Sequence, residues 1–449
     1  MKYLIKNGIL FSAIAKDVKT IDILVNGSRI KDIGTGIKAD DETFVIDASN
    51  KIIVPGLVDV HVHFRQPGQT YKENIYSGSC AAAAGGFTAV IAEPNTRPPI
   101  DTAKRVERVI NIAKKRSIVN FYTKACISKR MEGEELTDIE SLKKAGAVAI
   151  SDDGHPVPGS KLMEKALIKG RLLDILVNPH CEESELYRQN IFKSNGGLFP
   201  VFMPLSNKNT EAYYSETGFI KRDIKLARDT GARIHISHVS LATSVEAIRE
   251  AKRAGIKITA EATPHHFLLT KEDGERIGNN AKVNPPLRTR EDVAAVKEGL
   301  IDGTIDIIAT DHAPHTPTEK AKPYEQAPFG IIGLETALGL ILTYIVKPGL
   351  LTINQVIEKM SKRPAEIFDL PVYKVVKDER PNLTIIDPDL KWKVDVDEFY
   401  SKGRNCPFNG WTLEGKAIMT IVNGHIVMKD GKIIKNDTEL MKKNNLRSL

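Results

Sequence analysis

The sequence GLVDVHVHF at residues 56–64 is the clearest indication of the fold. Its apolar residues run almost without interruption, which is typical of a parallel strand that is buried on both faces. Residues two apart on a strand point to the same side, so His61 and His63 present two imidazoles together. An isolated His-x-His pair is a weak signal, because two unrelated histidines often fall at this spacing. The rest of the sequence must decide whether the pair binds a metal ion.

Seven further runs have the same apolar character, and helical patterns alternate with them. These runs are FTAVIAEP (87–94), IVNFYTKACI (118–127), AVAISDD (147–153), LLDILVNPH (172–180), ARIHISHVS (232–240), IKITAEATPH (256–265) and TIDIIATDH (304–312). The predicted helices include AKRVERVINIAKKR (103–116), DIESLKKAG (138–146), KLMEKALIKG (161–170) and SVEAIREAKRAG (244–255). Eight is the number of strands that closes a (β/α)8 barrel. We therefore predict an α/β fold with a TIM-like catalytic barrel over residues 56–370.

Both ends of the chain carry short β-prone runs that are separated by Gly, Asn and Asp turns. Residues 1–55 predict a small antiparallel sheet. The segment AIMTIVNGHIVMKDGKII (417–434) has the same texture, with two Asn-Gly or Asp-Gly hairpin signals. We predict one small β-sandwich domain built from residues 1–55 and 371–436, followed by a polar tail at 437–449.

Composition excludes several classes of protein. The net charge of +7 comes from Lys and Arg spread along the chain, and no base-reading motif accompanies them, so nucleic acid is not an expected partner. No apolar stretch reaches the roughly 18 residues of a membrane span, and no secretory cleavage site follows the first residues. The four cysteines lie far apart and form no metal-binding pair. We expect a cytoplasmic protein without a membrane partner.

Histidine and carboxylate side chains collect where the predicted strands end. His180 and His238 each close a different strand, and Asp311 follows the eighth. The carboxyl-terminal rim of such a barrel is where catalytic groups lie, and imidazoles from separate strands can complete a zinc site. A carboxylate beside the attacking water can take its proton and later deliver it to a leaving nitrogen, which makes Asp311 the candidate general base. The alternative for Asp311 is a turn or capping residue.

Five short motifs together resemble the dihydroorotase family of the amidohydrolase superfamily. They are DVHVHFRQPG (59–68), EPNT (93–96), KVNPPLR (282–288), TDHAPH (310–315) and APFG (327–330). The resemblance implies the zinc-dependent, reversible cyclisation of N-carbamoyl-L-aspartate to L-dihydroorotate in pyrimidine synthesis. It also implies that Arg65, Asn95 and His315 hold the substrate α-carboxylate, for which a guanidinium is well suited. Asn284 and the backbone near Phe329 and Gly330 would bind the ring amides; a turn role is the alternative for both asparagines.

The residues at the end of the fourth predicted strand bear on the number of bound metal ions. Many amidohydrolases place there a carboxylated lysine that bridges two metal ions, whereas the run AVAISDDG (147–154) has no lysine. The chain is similar to a branch of dihydroorotases that uses an aspartate instead, and the matching position is Asp153. The implied metal ligands are His61, His63, Asp153, His180, His238 and Asp311. Two zinc ions are expected, with a single ion as the alternative.

Two rival functions remain at this point. A hydantoinase, dihydropyrimidinase or allantoinase would share the barrel and the metal ligands but would lack the arrangement at Arg65, because its substrate has no matching ring carboxylate. A noncatalytic relative serving as an assembly subunit would have lost metal ligands, and this chain has kept them. Similar dihydroorotases associate with aspartate carbamoyltransferase, and the sequence leaves open both that association and a homo-oligomer. The segment 315–330 is polar and rich in proline, which favours a lid or a substrate-shaping loop.

Overall fold

The computed structural model describes residues 1–11, 19–182, 216–371 and 373–434. The predicted tail at 437–449 and ten positions of the predicted β-domain (12–18, 372, 435 and 436) lie outside these ranges. Within them, no helix combines the length and the apolar character that crossing a membrane requires.

All eight predicted barrel strands are present and lie parallel to their neighbours. In chain order they are Leu57–Val62, Phe87–Ala92, Asn120–Thr123, Ala149–Ile150, Leu176–Val177, Ile234–Ile236, Ile258–Ala262 and Ile307–Ile308, and they are numbered here as barrel strands 1 to 8. Strands 1–3 form one sheet and strands 4–8 form another. Parallel bridges from Ala125 to Ile150 and from Val62 to His312 join the two sheets at both edges. The eight strands therefore close into the predicted barrel.

Helices follow the barrel strands and cover them. The described α-helices are Ile75–Ala84, Ala103–Arg116, Ile139–Lys144, Ser160–Leu173, Glu216–Thr230, Ala242–Arg253, Pro264–Leu268, Lys271–Ile277, Arg290–Asp302, Pro317–Lys320, Ala337–Ile341, Ile353–Ile357 and Arg363–Ile367. Short 3₁₀ turns cover Lys129–Met131, Gly278–Ala281 and Val396–Glu398, and π-helical turns cover Leu342–Val346 and Glu358–Lys362. The second helix has the predicted bounds because Val106, Val109 and Ala113 form one buried stripe, while three basic residues favour its C-terminus.

The two chain ends form one nine-stranded sheet. Its strands are Lys2–Leu10, Lys19–Asn26, Arg29–Gly34, Phe44–Asp47, Ile52–Pro55, Leu383–Lys393, Thr412–Val422, His425–Lys429 and Lys432–Ile433. Ile52–Pro55 pairs with Leu383–Lys393, which joins the two ends of the chain. The expectation of a purely antiparallel arrangement in residues 1–55 was wrong. Phe44–Asp47 and Ile52–Pro55 both pair in parallel with the first strand, because the chain returns across the sheet before forming them.

Alternating residues of this sheet face two different cores. Ile53 packs in the core of the sheet itself, whereas Val54 packs in the core that the sheet shares with the barrel. Thr384 and Thr420 lie on two other strands of the same sheet. Their hydroxyls donate to the carbonyl oxygens of Gly86, which follows the first helix, and of Ala83, which lies within it. The sheet is therefore fixed to the barrel by both apolar contacts and paired polar groups.

Candidate functional site

Six predicted side chains from five barrel strands converge at the carboxyl-terminal rim, and all of them are buried. They are His61, His63, Asp153, His180, His238 and Asp311. The barrel topology accounts for this convergence, because the ends of parallel strands meet at the same edge. The ligand atoms form two groups that share Asp153.

The first group lies at strands 1 and 8. His63 Nε2 is 2.9 Å from Asp311 Oδ1, and His61 Nε2 is 3.6 Å from the same oxygen. These three side chains meet the spacing required of ligands around one metal ion. The alternation that turns His61 and His63 to the same side of the strand is the reason that both imidazoles reach it.

The second group lies at strands 5 and 6. His180 Nδ1 is 2.9 Å from His238 Nε2, and these nitrogens are 3.4 and 3.5 Å from Asp153 Oδ1. Two imidazole nitrogens and a carboxylate oxygen are a suitable ligand set for zinc.

Asp153 contacts both groups. Its Oδ1 is 3.3 Å from His61 Nε2, and its Oδ2 is 3.5 Å from His63 Nε2. His61 Nε2 and Asp153 Oδ1 are buried, yet neither makes a hydrogen bond within the described part of the chain. Buried polar atoms normally have partners, so this convergence fits a bound cation with Asp153 as the carboxylate between two positions.

Two further side chains fix the orientation of the first two histidines. Glu261 Oε1 is 2.6 Å from His61 Nδ1, and Asn95 Oδ1 is 2.9 Å from His63 Nδ1. With each Nδ1–H donated to an oxygen, both Nε2 atoms are left to bind metal. Burial would raise the pKa of Glu261, but His61 and His235 outweigh that effect and lower it well below its usual range.

Glu261 was missed in the sequence, although a glutamate inside the apolar run of strand 7 was a signal. Asn95 was predicted to hold the substrate carboxylate. That role stays a prediction; the amide nitrogen lies 3.1 Å from Asp153 O and 3.2 Å from Asp153 Oδ2, so Asn95 contacts two predicted metal ligands, His63 and Asp153.

The two aspartates of the site are held as carboxylates. Burial alone would raise the pKa of Asp311, but the imidazoles of His63 and His61 lower it far below its ordinary value. The same balance lowers the pKa of Asp153 well below its usual range. An ionised Asp311 is able to accept a proton.

Three residues of the rim have left-handed backbone conformations. The φ angles are 56° at Arg65, 33° at His238 and 49° at Asp311. Residues other than glycine rarely adopt this region, and such strain is concentrated at functional sites. The left-handed conformation of these residues costs conformational free energy, and the sequence pattern did not predict it.

A cationic pocket lies beside the first ligand group. His315 Nε2 is 2.8 Å from Phe329 O, and its Nδ1 is 3.3 Å from the ammonium of Lys72. Because an ammonium only donates, Nδ1 accepts and Nε2–H donates to the carbonyl. Burial, with the charges of Arg65 and Lys72, lowers the pKa of His315 and keeps it neutral.

Arg65 lies against this neutral imidazole, with Nη2 3.2 Å from His315 Nε2. Since that Nε2 already carries a hydrogen, it is a poor acceptor for the guanidinium. Burial lowers the pKa of Arg65 to about 10, which still leaves it charged at neutral pH. Lys72, which the sequence reading did not select, adds a second cation and pairs with Glu319 at 2.8 Å.

The remaining predicted substrate-binding residues, Asn284, Phe329 and Gly330, lie beside the second ligand group and the cationic pocket. The amide nitrogen of Asn284 is 3.0 Å from His180 Nε2, and its Oδ1 is buried without a hydrogen bond from any described residue. The N–H of Gly330 donates to Lys282 O at 2.9 Å, and its carbonyl accepts from Lys320 Nζ at 3.0 Å. The segment around Phe329 is thus held in place from behind and forms one wall of the site.

A buried polar network lies below the ligands, inside the barrel. The ammonium of Lys124 donates to Glu93 and Asn178, and both members of the Lys124–Glu93 ion pair are inaccessible to solvent. Glu93 Oε1 is 3.7 Å from His61 Nε2, so the pair adjoins the ligand groups. The sequence reading assigned no role to it.

Comparisons with known proteins agree with this architecture. The family model described as Dihydro-orotase-like matches residues 50–244. A dihydroorotase from Pelotomaculum thermopropionicum is 45% identical over 96% of this chain and 99% of its own length. A dihydroorotase from Bacillus thuringiensis is 44% identical over 95% of this chain and 98% of its own length.

The chain belongs to the dihydroorotase family. It is therefore a metal-dependent cyclic amide hydrolase, and the predicted family and enzyme class are confirmed.

Solved structures of related enzymes share the fold. The L-hydantoinase (dihydropyrimidinase) of Arthrobacter aurescens has a TM-score of 0.85 and 27% identity, covering 96% of this chain and 97% of its own. The D-hydantoinase (dihydropyrimidinase) of a Thermus species has a TM-score of 0.81 and 25% identity, covering 97% of each chain. The predicted amidohydrolase type of barrel with a β-domain from both chain ends is confirmed.

Proposed function

We propose that this protein interconverts N-carbamoyl-L-aspartate and L-dihydroorotate in pyrimidine synthesis, using two zinc ions. The observation that carries the proposal is the pair of ligand groups sharing Asp153, with the Arg65 guanidinium beside them. Relatives named dihydroorotase over nearly the whole chain support the same reaction.

The ligand atoms fit zinc because imidazole nitrogens predominate and carboxylate oxygens complete each group. We assign His61, His63 and Asp311 to one position and His180 and His238 to the other, with Asp153 between them. When bound, the ions would polarise the ring carbonyl and lower the pKa of a water molecule. Glu261 and Asn95 keep two of the ligating imidazoles in the tautomer that leaves Nε2 free.

Asp311 is the proposed general base and acid. Its ionised carboxylate takes a proton from the attacking water, and the resulting acid donates that proton to the ring nitrogen as the C–N bond breaks. In the direction of synthesis, the same carboxylate takes a proton from the carbamoyl nitrogen as the C–N bond forms, and it then donates that proton to the carboxyl oxygen that leaves as water. The strained backbone at Asp311 fixes the direction of its side chain for both steps.

Arg65 and His315 form the proposed site for the substrate carboxylate. The guanidinium and the nearby Lys72 make this side of the opening cationic, and a buried guanidinium binds a carboxylate strongly. Asn284 offers its unpaired Oδ1 to a ring N–H, and the backbone near Phe329 and Gly330 is the other proposed contact of the ring amides. Asn95, whose side chain contacts His63 and Asp153, is the third proposed contact of the substrate carboxylate.

Homo-oligomerisation and association with aspartate carbamoyltransferase are both compatible with this proposal. All six proposed metal ligands come from one chain. Its partner in the reaction is a small-molecule substrate.

The rival assignment is a hydantoinase-type activity, which the shared fold alone would allow. The test is to assay the purified protein with L-dihydroorotate, hydantoin and dihydrouracil under identical conditions. We expect turnover of dihydroorotate and little or none of the two substrates that lack a ring carboxylate. Opening of hydantoin or dihydrouracil without dihydroorotate would refute the proposed substrate.

A further inference from the structure

Behind His180 and His238 lies a buried group of four polar side chains to which no role has been given. We refer to Arg288, Glu182, Glu216 and Ser240 as the arginine cluster, and each of its members is less than a tenth exposed. None of them belongs to the ligand groups or to the cationic pocket. A buried charge cluster is costly to desolvate, so its presence beside the metal ligands requires a reason.

Arg288 is the centre of the cluster. Its Nη2 donates to Glu182 Oε2 at 2.8 Å and lies 3.4 Å from Glu216 Oε2, and its Nε donates to Ser240 Oγ at 2.9 Å. Glu216 in turn accepts from the backbone N–H of Ser240 at 3.0 Å and from its hydroxyl. One guanidinium thus ties together three separate segments of the rim.

Two of these segments, and the segment of Arg288 itself, carry a residue of the proposed site. Glu182 is two residues beyond His180, and Ser240 is two residues beyond His238. Arg288 lies in the same segment as Asn284, whose amide nitrogen is 3.0 Å from His180 Nε2. Two residues span at most about 7 Å of chain, so a shift of Glu182 or Ser240 is transmitted to the neighbouring imidazole.

We propose that Arg288 is a positioning residue for the metal position formed by His180, His238 and Asp153. It acts by holding the strand 5 and strand 6 loops at the separation that brings His180 Nδ1 to 2.9 Å from His238 Nε2. The planar guanidinium is needed because it reaches acceptors on separate segments in fixed directions, which a lysine ammonium does not. The group of His61, His63 and Asp311 makes no contact with the arginine cluster among the described residues, and it meets the second group through Asp153.

The test is Arg288→Lys, with the zinc-loaded protein titrated against a chromophoric chelator to follow the release of each ion. The inference rests on the proposed two-ion centre, so the unmodified protein is measured first. We expect it to release two ions per chain, and we expect Arg288→Lys to bind one of them about 10- to 100-fold more weakly, with a much smaller change for the other. Release of fewer than two ions by the unmodified protein would refute the two-ion centre itself.

Arg249→Lys is the matched control. Arg249 also joins two segments, since it donates to Asp302 Oδ2 at 2.8 Å and to Thr304 Oγ1 at 3.1 Å, but it contacts no proposed ligand. Its metal release should equal that of the unmodified protein. If Arg288→Lys releases both ions as the unmodified protein does, or weakens both equally, the positioning role is wrong.

A second variant covers the case in which Arg288→Lys does not fold. Glu182→Gln keeps the shape of the side chain and removes its charge, so the contact to Arg288 weakens without being lost. We expect the same single ion to be released several-fold more easily, with the melting temperature little changed. Unchanged release of both ions from a folded Glu182→Gln protein would count against the inference.

Discussion

The carboxyl-terminal rim of the barrel and the nine-stranded sheet differ in how they treat polar groups and backbone strain. At the rim, His61 Nε2 and Asp153 Oδ1 are buried without hydrogen bonds, and Asp311 has a left-handed backbone. In the sheet, left-handed residues occur at hairpin turns such as Asn423-Gly424, where that conformation is favourable. The hydroxyls of its buried threonines are paired.

The difference indicates that the rim serves binding and catalysis, whereas the sheet serves stability. Unpaired atoms and strained residues reduce stability, and a protein retains them where a ligand or a reaction uses them. Substitutions at the rim should therefore reduce activity far more than stability. Substitutions in the sheet should do the reverse.

The largest effect on activity is expected for Asp311→Asn. It keeps the shape of the side chain and tolerates the left-handed backbone, but it cannot take the proton, so kcat for dihydroorotate should fall about 10²- to 10⁴-fold. The melting temperature should change little. Asp369→Asn is the matched control, because Asp369 is also left-handed at a φ of 53° but is exposed and remote from the ligands. A decrease in kcat of less than tenfold for Asp311→Asn would contradict its assigned role.

The geometry of the barrel explains how much of the site could be predicted from the sequence. Ligands at strand ends could be predicted, because the period of two and the barrel topology place them together. Glu261, Lys124 and Arg288 were missed because each acts through a partner on another strand or loop, and no local pattern records that pairing. Asn95 was predicted at the site, but its contacts with His63 and Asp153 were not, since they depend on where strands 1 and 4 end.

The fold shows the same division. The eight barrel strands and the hairpin at Asn423-Gly424 follow from local patterns of hydrophobicity and turn residues. The parallel pairing of Phe44–Asp47 and Ile52–Pro55 does not, because strand direction depends on how the chain crosses the sheet. Local sequence carries no signal for that crossing.

The next largest effect is expected on stability, for a variant of the buried Lys124–Glu93 ion pair. Lys124→Met removes the cation from a fully buried ion pair and leaves Glu93 uncompensated, so the free energy of unfolding should fall by about 3–5 kcal/mol. Denaturant unfolding measures the change. The double variant Glu93→Met with Lys124→Met removes both charges and should recover most of the loss; equal destabilisation of both variants would show that the ion pair is not the cause.

An intermediate effect is expected for Arg65→Met at the cationic pocket. Loss of a charged hydrogen bond to the substrate carboxylate is worth about 1.5–3 kcal/mol, which is roughly a 10- to 100-fold fall in kcat/KM, mostly through KM. Any residual turnover of dihydrouracil, which has no carboxylate, should not fall with it. An unchanged KM for dihydroorotate would remove Arg65 from the proposed site.

The smallest effect is expected in the sheet, for Thr384→Val. This change keeps the shape of the side chain and removes the hydrogen bond to Gly86 O, so unfolding should become easier by about 1–2 kcal/mol. Thermal or denaturant unfolding measures it, and kcat for dihydroorotate should stay within twofold. A loss of activity with unchanged stability would reverse the contrast between sheet and rim.

Metal content measured together with turnover tests whether the strand ends form a two-zinc centre that turns over dihydroorotate. Zinc per chain is determined by mass spectrometry on the same samples in which turnover is assayed, before chelation, after chelation and after zinc is restored. The account predicts two zinc ions per chain, loss of turnover as they are removed, and recovery when they return. Full turnover by the metal-free chain would contradict it.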